Sequence, residues 1–218
     1  AGRTPRTPGR RGMPFAPLPW SDDEARKLAS LASDRQIATI RLDAGRATKA
    51  AVLAQVGAAT FVHLATHGFV PEGGTDAPAR TPLVNSGLAL SGANVRDPVT
   101  LQGVGILTAE EILDADLGRA RLVVLSACNT GLGVKASGQG LLGLRSALYA
   151  AGARRVVMSL WPVDDEATKV LMSSFYERLW GEGKPLLQAF HEAQKAVRSD
   201  ERFREPRFWA GWSIVDPE

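Results

Sequence analysis

Three short apolar runs constrain this chain more than any other feature: residues 60–65 (TFVHLA), 122–126 (LVVLS) and 156–160 (VVMSL). None shows the in–out alternation of a strand with one wet face, so each needs cover on both sides. Between and after them lie stretches with helical spacing, at 140–151, 165–180 and 184–197. Buried strands alternating with helices define an α/β fold, with a mostly parallel sheet and helices on both faces. Ligands of such sheets bind outside the carboxyl ends of the strands. The first run stops at Thr66, His67 and Gly68 and the second at Ala127, Cys128 and Asn129, so a histidine and a cysteine are expected to end two strands of one sheet.

The remaining elements follow from local chemistry. Ser21 and Glu24 have capping-box spacing ahead of Ala25, Leu28, Ala29 and Ala32, which predicts a helix. Residues 36–42 read as a strand and 48–56 as a second helix. The Pro-, Gly-, Asn- and Ser-rich stretch 71–100 reads as loop with a short hairpin around 88–90, and 108–113 as a capped helical turn. Residues 208–215 read as an edge strand. Residues 1–20, rich in Pro, Gly and Arg, are expected to be a flexible linker, and 21–218 the folded domain.

Composition narrows the setting. A chain of 218 residues with 44% hydrophobic and 22% charged side chains has enough apolar material for one sizeable core. No apolar run approaches the roughly 20 residues that span a bilayer. The single cysteine excludes an internal disulfide and points to a reducing compartment, the cytoplasm. Net charge is +3, with the excess among the first dozen residues, so a solvated arm is preferred over a nucleic-acid contact.

A thiol becomes a good nucleophile when an imidazole takes its proton. Adjacent parallel strands would bring His67 and Cys128 to one sheet edge as base and nucleophile, with the backbone N–H groups of Gly68 and Cys128 as oxyanion donors. Spacing alone leaves a second reading open, in which Cys128 is a small buried hydrophobe. His63 and His191 read as structural. Histidines four residues apart come together on a helix and not on a strand, so no metal site is expected. Residues 131–136 (GLGVKA) match a dinucleotide fingerprint formally, but they do not follow the first strand and the nearest acids lie at the wrong distance. They read as a cleft loop, and no cofactor is expected.

The motifs FVHLATHG at 61–68, LTAEEIL at 107–113, LVVLSACNTGLG at 122–133 and GLLGLRSALYAAGARRVVMSLWPVDDEAT at 140–168 occur in an order that resembles the CHAT domain. LMSSFYERLW, AFHEAQKAVR and FWAGWSIV continue the match. This is the bacterial caspase-like module often found beside tetratricopeptide repeats. The resemblance implies a caspase-haemoglobinase fold and cysteine endopeptidase activity, with His67 and Cys128 as dyad, in regulated signalling or antiphage defence. Members can also serve as inactive adaptors.

A protein or peptide substrate and an upstream sensor or repeat segment are the partners it implies, with no nucleic acid and no membrane. The sequence departs from the family where an upstream hydrophobic strand is expected, so a preceding segment or another polypeptide would fill that place. It departs again at Gln139 and Ser126, which are acidic in some relatives. Asp165, with Asp164 beside it, is then the candidate for substrate selection, against a plain helix-capping role. Trp161 is a candidate substrate subsite, or a lid on the core. The loops at 71–98 and 131–140 are candidates for a segment that orders on activation.

Overall fold

The computed structural model describes residues 15–69, 86–97, 103–126 and 138–215. Cys128, the 131–136 loop and most of 71–100 lie outside the described residues. Seven strands are described: β1 (Phe61–Leu64), β2 (His67–Phe69), β3 (Gly87–Ala89), β4 (Ile106–Thr108), β5 (Leu122–Leu125), β6 (Val156–Ser159) and β7 (Trp212–Val215). The described helices are α1 (Ser21–Asp34), α2 (Lys49–Val56), α3 (Ala109–Leu113), α4 (Gly138–Ala150), α5 (Asp165–Tyr176) and α6 (Leu186–Ser199).

The three apolar runs form the parallel part of a sheet ordered β1-β5-β6-β7, and β7 closes its far edge antiparallel to β6. Its absence of alternation is explained by two cores. Leu122, Val124 and Val157 face Leu28, Leu171, Phe175, Phe190 and Val197 of α1, α5 and α6. Val123, Leu125, Val156 and Met158 face Val52, Ile112, Leu144 and Leu148 of α2, α3 and α4. Each fully buried branched side chain contributes about 1.5–3 kcal/mol, so no residue of β5 could turn polar cheaply. A separate antiparallel sheet, β2-β3-β4, carries the expected hairpin region, with Leu88 fully buried in its middle strand.

The expected strand at 36–42 does not form. Gln36 takes a left-handed conformation (φ 56°) directly after α1, and the segment that follows has no strand beside it among the described residues. Strand propensity without a ladder partner gives no strand. Ile40 is left 66% exposed.

The capping box at Ser21 is also absent: Trp20 is the N-cap and caps with no side chain, Ser21 Oγ donates to the Leu18 carbonyl, and Glu24 turns inward. The box at Thr108 is complete. Its Oγ1 accepts from the Glu111 N–H at 3.2 Å, and Glu111 Oε2 accepts from the Thr108 N–H at 3.0 Å. The helix expected over 165–180 ends as α5 at Tyr176 and continues in a π-helical turn, Glu177–Gly181. Among the described residues no helix is long and apolar enough to cross a membrane.

Candidate active site

β1 and β5 run parallel with Leu64 opposite Leu125, so the two chains leave the sheet at the same level. His67 is the third residue past Leu64, and Cys128 the third past Leu125. His67 does not end its strand as expected. After β1 the chain turns through Ala65 and Thr66, and His67 opens β2, opposite Ala89 of β3. Thr66 Oγ1 donates to the Ala89 carbonyl and pins this turn.

His67 is 6% exposed. Its Nε2 lies 2.6 Å from the Ala16 carbonyl oxygen. A carbonyl can only accept, so Nε2 carries the proton of this bond. The Phe15 ring lies 5.7 Å from the imidazole, tilted 31°. Residues 15–20, part of the stretch expected as flexible linker, thus cross the site as a strap with defined contacts at each end. At one end the Phe15 N–H donates to Asn94 Oδ1 at 2.8 Å, while Asn94 Nδ2 donates to the Phe15 carbonyl at 3.0 Å. At the other the Trp20 N–H donates to Asp165 Oδ2 at 2.9 Å, and the Lys169 ammonium sits 4.4 Å from the centroid of the Trp20 ring.

Burial pushes the Asp165 carboxyl above its ordinary range; the charges of Glu24 and Asp164 add to this, while the Trp20 amide and the nearby His67 oppose it. Asp164 is the N-cap of α5, with Oδ1 accepting from the Ala167 N–H at 3.0 Å. Trp161 is 38% exposed, with its Nε1 donating to the Arg207 carbonyl and its ring against Gly211, where an added Cβ would meet it at 2.5 Å. Gly68 is buried in β2 opposite Leu88. The Ser126 hydroxyl, at the end of β5, is buried with no hydrogen-bond partner among the described residues.

A second imidazole network lies behind the first. His63 Nε2 is 2.6 Å from Glu24 Oε1, and Nδ1 is 3.2 Å from the Tyr176 hydroxyl. Nε2–H donates to the carboxylate, and the phenol is the partner of Nδ1. Burial, and then the Glu24 charge, push the Tyr176 hydroxyl well above its ordinary range and keep it a neutral donor. Glu24 is only 1% exposed. The signal for this pair is present in the sequence: a histidine inside a buried strand needs a partner, and Glu24 shares its helical stripe with Leu28 and Ala32. His191 is exposed on α6. No group of three or more His, Cys, Asp or Glu among the described residues could hold a metal ion.

The domain is mixed α/β, with a mainly parallel sheet, helices on both faces and a buried histidine just past a strand end, an arrangement that a caspase-like fold shares. The CHAT domain family model matches residues 3–216, and the chain belongs to that family. The match begins inside the segment expected as linker. Over 92% of its length the chain is 29% identical to tetratricopeptide repeat protein 28 of Homo sapiens and 28% identical to the Mus musculus protein of that name. It spans only 8% and 9% of the lengths of these relatives.

Proposed function

We propose that this domain is a cysteine endopeptidase in which His67 is the general base and Cys128 the nucleophile. The observation that supports this reading is the placement of His67: it is buried just past the end of β1, and its Nε2–H is held by the Ala16 carbonyl. The sulfur attacks the carbonyl carbon of the scissile peptide as its proton passes to Nδ1. The tetrahedral oxyanion is met by the backbone N–H groups of Gly68 and Cys128. Collapse breaks the C–N bond, the amine leaves with the imidazolium proton, and water then hydrolyses the thioester on Cys128 with His67 as base. General-base catalysis of this kind contributes about 10²–10⁴-fold, and one oxyanion donor about 10²–10³-fold.

Substrate selection falls to the same rim. Asp164 is engaged as a cap and one oxygen of Asp165 holds the strap, whereas the partly exposed Trp161 ring offers an apolar face to a substrate side chain. The substrate is a protein or peptide in the cytoplasm, cut in regulated signalling or defence, and the regulator is a repeat segment like those named in the relatives.

Peptidyl acyloxymethyl ketones with Arg, Lys, Leu or Asp at the first position test this by intact mass. Labelling that is lost in both Cys128→Ala and His67→Ala supports the dyad and reports the preferred side chain. Labelling indifferent to His67, or none in the folded chain with or without an added tetratricopeptide repeat segment, favours a non-catalytic interaction module.

A further inference from the structure

We propose that Asn94 is a positioning residue of the site: through the backbone of Phe15 it sets the Ala16 carbonyl that fixes His67, an inference that rests on the His67–Cys128 reading. Asn94 offers an amide oxygen and an amide N–H to one residue, and takes the Phe15 N–H at 2.8 Å and the Phe15 carbonyl at 3.0 Å. This is the pairing a neighbouring β-strand would give, supplied by one side chain. The next carbonyl along the chain is that of Ala16, 2.6 Å from His67 Nε2.

The anchor itself is held rigidly. Its turn is closed by the Ala93 N–H on the Leu90 carbonyl at 3.0 Å and the Val95 N–H on the Gly92 carbonyl at 2.9 Å. Gly92 has φ 90°, a conformation that favours glycine. The opposite chain packs so closely that a Cβ at Gly103 would lie 2.0 Å from the Ala93 carbonyl oxygen, and one at Gly105 2.2 Å from that of Ser91. An exposed asparagine on such a turn contributes little to global stability, yet it fixes a backbone group whose displacement by an ångström matters to proton transfer. Asp165 plays the complementary part at the far end of the strap, on the Trp20 N–H.

The test uses the single cysteine of the chain, so alkylation by iodoacetamide reports Cys128 alone. Rates across pH are compared for wild type, His67→Ala, Asn94→Ala and Asn94→Asp, alongside hydrogen exchange of the 15–20 strap. Asn94→Ala is expected to leave the thermal midpoint nearly unchanged, to speed exchange of the strap, and to slow alkylation near neutral pH about tenfold with the pH profile moved toward that of His67→Ala. Asn94→Asp keeps the acceptor for the Phe15 N–H and is expected to fall between the two. Faster strap exchange with an unchanged pH profile overturns the positioning role, as does a strap whose exchange does not respond. A His67→Ala profile that coincides with wild type instead overturns the dyad reading on which the inference stands.

Discussion

At the scale of single residues, what the site demands is visible where a side chain supplies it and hidden where the backbone does. His67 and Gly68 stand out because polar groups at the end of an apolar run have few structural reasons to be there. Glu24 is misread because its spacing from Ser21 is that of a capping box, and the burial of its carboxylate against His63 becomes evident only when α1 is docked. Asp165 supplies a test with a defined sign. Its folded-state carboxyl is raised, chiefly by burial, so ionised Asp165 costs stability that the unfolded chain does not lose. Asp165→Asn removes that charge and keeps an oxygen for the Trp20 N–H. Thermal midpoints measured between about pH 4 and 7 should show the variant gaining on wild type as pH rises from the ordinary value of 3.8 through the raised one, with the difference vanishing in acid.

Elements are joined by polar contacts as well as by the cores. α1, β1 and α5 meet at Glu24, His63 and Tyr176, so His63→Ala leaves a buried carboxylate without its imidazole. The expected loss is about 3 kcal/mol in urea unfolding, with the double variant Glu24→Gln, His63→Gln recovering part of it by putting an uncharged hydrogen-bonding pair in its place. The helices were largely legible: the Thr108 box of α3 and the apolar stripe of α6 each combine a local signal with the periodicity of their burial. The strand expected at 36–42 was not, because apolar and β-branched residues declare a willingness to pair and say nothing about whether a neighbour is present. β2 escaped notice for the opposite reason. Three residues are too few for a period, and its identity comes from β3 alongside it.

For the molecule as a whole, the lack of alternation in the three apolar runs was the most informative feature, since it required helices on both faces before any element was placed. The two cores share β5 and β6 as a common wall. Unfolding is therefore expected to be one transition: Phe190→Ala on one face and Leu148→Ala on the other should each cost about 2–5 kcal/mol and lower the same midpoint, seen equally by far-ultraviolet circular dichroism and tryptophan fluorescence. Two separate transitions would show that the faces fold independently.

The hold on His67 has an evolutionary corollary. Its acceptor is a main-chain oxygen, which every amino acid provides, so position 16 is free to drift in identity while its contribution persists. Relatives can then differ there completely and still orient the imidazole alike. Loss of that orientation would arise from altered chain course, such as a deletion in the arm or erosion of its anchors, and would leave the histidine and cysteine letters untouched.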